Sequence, residues 1–165
     1  MPVANSEIKI YLSGGGSNSD PNLSLGGAIS STEWGSNIFD NVTPTEASTG
    51  ESEYRCVFVR NTNATDTLYD AVVWVSTNTP SSYSEVQIAL ADEGASASAE
   101  TIANEDTAPS GPSFSVAETA ATGLDLGDLG PGGYYGVWIK RTISANAPAY
   151  ANDTFTLTVR GNTSA

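Results

Sequence analysis

The side chains in this sequence that are suited to chemistry are carboxylates, because histidine is absent and cysteine occurs once. Without imidazole, the common catalytic triads and dyads and most zinc and copper sites cannot be built. Cys56 lies inside a run rich in β-branched residues, where a small buried thiol is expected rather than a nucleophile. Two kinds of carboxylate chemistry are left to weigh: acid–base catalysis by a pair of acids, and calcium binding.

Two acidic pairs, Asp125 with Asp128 and Asp92 with Glu93, are candidates for glycoside hydrolysis. That reaction needs two carboxyl groups roughly 5–9.5 Å apart on either side of a sugar. Nothing in the sequence sets such a separation, and a solvated acidic loop accounts for both pairs more simply. We therefore predict that the protein is not an enzyme.

Calcium is the one cofactor for which the sequence offers ligands, because Ca²⁺ takes oxygens from carboxylates, amides and backbone carbonyls. Asp125 and Asp128 lie in one loop-like segment, and Asp153 follows Asn152 in another. Neither segment has EF-hand spacing. We predict no cofactor, with a structural Ca²⁺ site at Asp125, Asp128 or Asp153 as the alternative to a plain acidic rim.

The charge balance excludes some partners. The formal net charge is −13, so the chain repels phosphate backbones and anionic lipid surfaces, and we expect neither nucleic acid nor membrane as a partner. All six basic residues lie in or at the end of predicted strands, which favours cross-strand ion pairs. These residues are Lys9, Arg55, Arg60, Lys140, Arg141 and Arg160.

The elements that must position these groups are strands. Segment 53–77 has two β-rich runs around a polar turn, and segments 134–143 and 153–161 have the same character. The sequence predicts one antiparallel β-sandwich, Ig-like or jelly-roll, of about seven to nine strands with long Gly/Ser/Thr/Ala-rich loops. It comprises residues 8–165, preceded by an extended N-terminal arm at 1–7.

The segments between these strands carry weaker signals. Short strands are predicted at 23–29 and 112–120, and a connector at 41–50, where Pro44 and Gly50 are breakers. A loop is predicted from residue 124 that tightens into a turn at 130–133, because proline fixes one φ angle and glycine permits positive ones.

The predicted core consists of the strand residues that alternate inward. They are Phe58, Val73, Trp74, Ile88, Leu90, Trp138, Ile139, Phe155 and Leu157. The strand at 54–59 is apolar on both faces, which requires a cover from a second sheet, a loop or a neighbouring subunit.

A contact surface for a partner is predicted from apolar and aromatic residues that the inward alternation does not assign to the core. Val57 and Val59 form the second apolar face, and Trp34 and Tyr150 lie in or beside loops. The long segment 93–112 is expected to need a partner to order it.

Redox and targeting signals are sparse. A single cysteine excludes an intrachain disulfide. The N-terminal MPVANSEIKI has neither a basic n-region nor an apolar h-region, and no apolar run reaches the length of a membrane span. We expect synthesis in the cytoplasm and solubility there.

Four segments carry a resemblance to a known group of proteins. They are EYRCVFVRNTNATDTLYDAVVWVSTNTPSSYSEVQIAL, TIANEDTAPSG, LGDLGPGGYYGVWIKRTI and AYANDTFTLTVRGNT. Together, over roughly residues 26–163, they resemble structural proteins from the virions of tailed bacteriophages. The resemblance is one of strand and turn pattern and brings no active site with it.

The resemblance implies a role in a virus particle made in a host bacterium. The expected function is that of a capsid decoration (cement) protein, on the outside of the head, with the major capsid protein and like copies of itself as partners. The alternative is a tail, baseplate or head-fibre component that binds host glycan. A carbohydrate-active enzyme is the third hypothesis, and turnover dependent on Asp125 or Asp128 would favour it.

Overall fold

The computed structural model describes residues 2–164, which form two antiparallel sheets packed face to face. The predicted all-β sandwich is therefore confirmed. The strands are β1 (Ile8–Ser13), β2 (Ile29–Glu33), β3 (Glu51–Asn61), β4 (Leu68–Thr77), β5 (Ser84–Ala95), β6 (Leu124–Leu129), β7 (Tyr134–Ile143) and β8 (Thr156–Asn162).

The two sheets differ in size. One has five strands in the order β2-β1-β3-β7-β5, and the other has three in the order β6-β4-β8. The longest pairing joins β3 to β7, in register from Glu51 opposite Ile143 to Arg60 opposite Tyr134. Among residues 2–164, no helix is long and apolar enough to cross a membrane.

Local sequence signals explain most of the element ends. The turn before β7 closes with Gly133 N donating to Gly130 O at 2.8 Å, and Gly132 has a φ of 73°, as expected after a proline in such a turn. Segment 41–50, predicted as a connector, contains a short helix α1 (Pro44–Thr49). Thr43 and Glu46 cap it reciprocally, which is a signal that the sequence contained.

Some strand predictions are wrong. Segment 124–133 was expected to be a loop, but its first half is β6. Segments 23–29 and 112–120 were expected to be short strands, yet residues 23–28 and 112–120 form only single bridges, at Gly27 and at Ser115, and Ile29 begins β2. The first segment runs over the face of the larger sheet, where Gly27 pairs with Ala99 of the covering loop, and the second pairs with the edge of that sheet only at Ile88 of β5.

The main core lies between the two sheets. Val57 and Val59 of β3 are fully buried there, and face Val73 and Val75 of the smaller sheet's central strand. The prediction that Val57 and Val59 form a contact surface is therefore wrong. Their face is the interior of the sandwich, so they are unavailable to a partner.

A second core lies on the opposite face of the five-stranded sheet. Tyr54, Phe58 and Trp138 are buried there beneath Ala99 and Ile102 of the long loop that follows β5. The loop is held by its own chain, since Tyr54 N donates to Glu105 O at 2.8 Å and Ile102 N to Leu25 O at 2.9 Å. Segment 93–112 thus needs no second molecule to order it, contrary to expectation.

Close backbone contact makes this cover possible. Gly26 has a φ of 94°, and a Cβ built on it would lie 1.7 Å from Glu100 O. Any side chain at this position would force apart the two loops that lie over β3.

The predicted core is partly confirmed. Phe58, Val73, Ile88, Trp138 and Ile139 are buried. The other four predicted residues are only half-buried: one lies on the open face of the smaller sheet, and three lie in or directly before the edge strands β5 and β8. These are Trp74, Leu90, Phe155 and Leu157.

The N-terminal segment is not a free arm. Val3 is buried in the main core, and residues 5–7 form a 3-10 helix rather than extended chain. Thr62 N donates to Glu7 O at 2.7 Å, which anchors this helix to the end of β3. Met1 and Ala165, which belong to the predicted arm and domain, lie outside the described residues.

Candidate functional site

A groove opens at one end of the sandwich. Its volume is about 1250 Å³, and its walls are formed by the loops at 34–44, 79–84 and 146–157. Trp34 and Tyr150, which the sequence analysis assigned to a contact surface, both line it. The structure therefore brings these two together, while it places Val57 and Val59 in the core.

The rim of the groove is where exposed apolar side chains collect. Among residues 2–164, four large hydrophobic side chains are exposed, and three of them line this groove: Val42 at 37%, Tyr83 at 39% and Tyr150 at 53%. The fourth, Leu23 at 60%, lies away from it. We call Val42, Tyr83 and Tyr150 the groove rim.

Aromatic packing forms the floor. The Trp34 and Phe155 ring centroids are 5.9 Å apart, and those of Phe39 and Phe155 are 6.5 Å apart. Trp34 N donates to Ile10 O at 2.8 Å, which holds the start of the loop against β1. The Trp34 indole Nε1 is buried without a hydrogen-bond partner within the described residues.

The three aspartates proposed as calcium ligands are not brought together. Asp153 accepts from Ser81 N at 3.0 Å and from the Ser84 hydroxyl, so it fastens the 146–157 loop to the turn before β5. Asp125 accepts from Gly127 N at 2.8 Å, and Asp128 accepts from Asp70 N at 3.0 Å. Each carboxylate thus satisfies nearby backbone or hydroxyl groups, and the three are not gathered around a common point.

A different carboxylate group does come together, beside the groove. Oxygens of Asp40, Glu53 and Glu105 lie within 4.8 Å of one another, the one such group among the described residues. Two guanidinium groups lie among them. Arg141 pairs with Glu53 and lies 3.7 Å from Asp40, and Arg55 pairs with Glu105.

This cluster is an ion-pair network. A cation would have to displace Arg55 or Arg141 from its carboxylate, and two fixed positive charges would repel it. Burial raises the pKa of Glu53, and Arg141 opposes that rise. The residues therefore do not fit a metal centre.

The network holds the wall of the groove in place. Phe39 covers both guanidinium groups, with its ring centroid 5.4 Å from Arg55 Cζ and 4.7 Å from Arg141 Cζ. Arg141 also donates to Asp40 O at 2.8 Å. Cross-strand ion pairs were expected for the basic residues, and Arg141 with its direct cross-strand partner Glu53 is one of them, although the sequence did not show that this pair is buried.

The remaining candidates for chemistry are occupied or enclosed. Cys56 is fully buried, and burial raises the pKa of its thiol, which disfavours the reactive thiolate. In the Asp92/Glu93 pair, Glu93 accepts from Glu100 N at 2.8 Å and so fixes the loop that covers the larger sheet. These groups serve the fold, and the absence of catalysis stays a prediction.

Comparisons with known proteins give no match: no family model, no curated protein and no solved structure is significantly similar to this chain. Function is therefore inferred from the resemblance described above and from the groove.

Proposed function

We propose that the protein is a structural component of a tailed-phage virion, which binds the outside of the capsid as a decoration protein and stabilises capsomer junctions. The observation that carries this proposal is the groove rim: Val42, Tyr83 and Tyr150 are exposed together around one aromatic floor. Aromatic residues presented together in this way are typical of protein–protein interfaces. The rim is the surface that we assign to the capsid contact.

The distribution of charge supports this orientation. With a net charge of −13, the surface favours solubility before assembly. The rim residues themselves are uncharged. Contact between the rim and a capsomer junction would contribute binding energy only in the assembled particle, so decoration would stabilise the capsid.

The proposed setting follows from the same resemblance. The chain would be made in the cytoplasm of the host bacterium and would then bind the capsid surface, with the major capsid protein and like copies of itself as partners. Neither nucleic acid nor membrane is part of the proposal, since the net charge opposes both.

The second candidate is a tail, baseplate or head-fibre component that binds host glycan. Aromatic rings at the groove, such as Trp34 and Tyr83, stand beside amide side chains such as Asn37, Asn41 and Asn152. Sugars are bound by that combination of stacking surface and hydrogen-bonding groups. The same groove would then hold a saccharide rather than a capsid surface.

The test combines localisation with substitution. Cryo-EM of intact particles should show the chain at capsomer junctions with its groove end toward the capsid. Tyr83→Ala with Tyr150→Ala should lower affinity for undecorated particles at least about tenfold, because two interface aromatics are truncated. Leu23→Ala is the control, because Leu23 is more exposed than either tyrosine but lies away from the groove.

Particle stability and glycan binding separate the two candidates. Decorated particles should resist heat and osmotic shock better than undecorated ones. Equal robustness, with the chain found only on tails and its groove variants losing signal on a glycan array, would replace the decoration proposal with the second candidate.

A further inference from the structure

Strand β8 leaves one edge of the smaller sheet unpaired. β8 pairs with β4 on one side, and within residues 2–164 no strand or loop backbone bonds to its other side. The irregularities in the β4–β8 ladder place the extra residues in β4, near Asp70 and Ser76. β8 itself is a regular strand from Thr156 to Asn162, and its outer edge can accept another strand.

The other three sheet edges carry features that block such pairing. β2 is short, is out of register with β1 near Ser13, and ends in Glu33. β5 is bridged by Ser115, which exchanges two backbone hydrogen bonds with Ile88. β6 is irregular at Gly127 and carries two aspartates. Proteins use such charges, bulges and covers to prevent edge-to-edge association, and β8 lacks carboxylate, bulge and cover alike.

The side chains beneath β8 are incompletely covered. Leu157 and Val159 point toward the main core but are only half-buried, as are Ile8 and Ile10 on β1 below them. Two openings lie along this side of the sandwich: the groove reaches Leu157, and a smaller pocket is lined by Ile8, Ile10 and Val159. The smaller sheet ends one strand too early to close the sandwich over β1.

We propose that β8 of a second copy of this chain occupies this edge, antiparallel to the first, about a two-fold axis at Thr158. The two three-stranded sheets then become one continuous six-stranded sheet. In this register Leu157 lies opposite Val159 of the other copy, and Thr156 lies opposite Arg160. An antiparallel pair of identical strands is self-complementary, as a two-fold interface requires.

Charge selects a second copy as the occupant. The chain carries a net charge of −13, yet β8 has Arg160 and no acidic residue, so it is a strand along which two copies meet without facing carboxylates. In the proposed register no like charges are directly opposite, and Thr–Thr and apolar cross-strand pairs are favourable. The inference concerns the chain alone and does not rest on the virion proposal.

Covalent trapping tests the register. Directly opposite residues in an antiparallel pair have Cα atoms roughly 4.5–5.5 Å apart, within the range that a disulfide spans. The full-length Thr158→Cys variant, treated with diamide as the two-electron oxidant, should convert to a covalent dimer. The single native thiol, Cys56, is buried and will not compete. Ser76→Cys, one strand in from the edge on β4, should stay monomeric on a denaturing gel.

Sedimentation tests the interface without covalent chemistry. The wild-type chain should form a species of twice its 17.0 kDa mass as concentration rises. Thr158→Glu places two carboxylates opposite each other at the axis, and should raise the dimer dissociation constant at least about tenfold. Ser76→Glu adds the same charge to β4 and removes the same hydroxyl contact with Thr158, so it should leave the dimer largely intact.

Three results would overturn the inference. A wild-type chain that is monomeric up to about 1 mM has no specific self-association at this edge. A dimer that Thr158→Glu and Ser76→Glu weaken equally, or a Thr158→Cys variant that crosslinks no faster than Ser76→Cys, has its interface elsewhere. A monomer that still decorates particles refutes only this inference, while a β8 dimer that binds no particle refutes only the proposed function.

Discussion

The two sheets of this sandwich share one core but differ in how the chain treats their outer faces. The five-stranded sheet is covered on both faces, because the loops around Leu25 and Ile102 lie over Phe58 and Trp138. The three-stranded sheet is covered only on its inner face, and Trp74 is half-exposed on the other. The larger sheet thus buries side chains on both of its faces, and the smaller one keeps an accessible surface and edge.

The largest expected effect contrasts the tryptophans of the two sheets. Trp138→Ala should lower the free energy of unfolding by roughly 3–5 kcal/mol, because a fully buried ring is lost beneath the covering loop. Trp74→Ala should cost about 1 kcal/mol, since its ring lies on the open face. Urea denaturation of both variants measures the difference. Equal losses would mean that the outer face of the smaller sheet is covered in solution.

Removing a carboxylate charge should also destabilise the protein more at the larger sheet than at the smaller one, with smaller losses than the tryptophan variants. Glu105→Gln removes the partner of the fully buried Arg55 side chain, and should lower the free energy of unfolding by about 2–3 kcal/mol. Asp128→Asn on the smaller sheet should change it by less than about 0.5 kcal/mol, since Asp128 is exposed and an amide oxygen still accepts from Asp70 N.

The Asp128→Asn variant also tests calcium binding. If wild-type protein gained thermal stability from added Ca²⁺ and Asp128→Asn did not, Asp128 would be a ligand after all. Identical melting curves with EDTA and with Ca²⁺ are the expected result for both proteins.

The smallest effect concerns pH. Burial, together with the nearby carboxylates of Glu46, Glu53, Asp106 and Glu105, raises the pKa of Glu51 from its ordinary 4.5 to about 7. Between these two values the folded state holds a proton that the unfolded state has lost, so stability rises as pH falls from about 7 toward 4.5. The cost of the charged carboxylate is present in full above pH 7.

Glu51→Gln removes that cost. The variant should be more stable than wild type at pH 8, by at most about 1 kcal/mol because Glu51 is partly exposed and solvent screens it. The difference should vanish near pH 4.5, and melting temperatures at both pH values measure it. A gain that persists at low pH would show that the effect is not electrostatic.

Much of the fold could be predicted from local pattern. The strict alternation of β8 and the β-branched runs of β3, β4 and β7 identified strands whose bounds the structure confirms within a few residues. The turn at 130–133 was predicted because proline and glycine restrict backbone angles locally. These features depend on neighbours in sequence, which is the information that a single chain displays.

The sequence could not show which part of the chain buries each apolar face of a strand. Tyr54 and Val57 lie on opposite faces of one strand, and both faces are buried, one by a loop some 50 residues later and the other by the second sheet. A sequence without aligned relatives gives no sign of such distant pairings. Val57 and Val59 were therefore assigned to a partner surface together with Trp34 and Tyr150, which were marked by their position in loops. The structure places only Trp34 and Tyr150 on the groove.

The pairing of β3 with β7 has a consequence for how the chain is made. β3, the middle strand of the larger sheet, makes its longest pairing with β7, about 80 residues downstream, where Glu51 lies opposite Ile143. A ribosome must therefore release the chain through the end of β7 before the central ladder can close, and until then β3 has an open edge. Biosynthesis, rather than the finished fold, is the stage at which this protein is most exposed to misassembly.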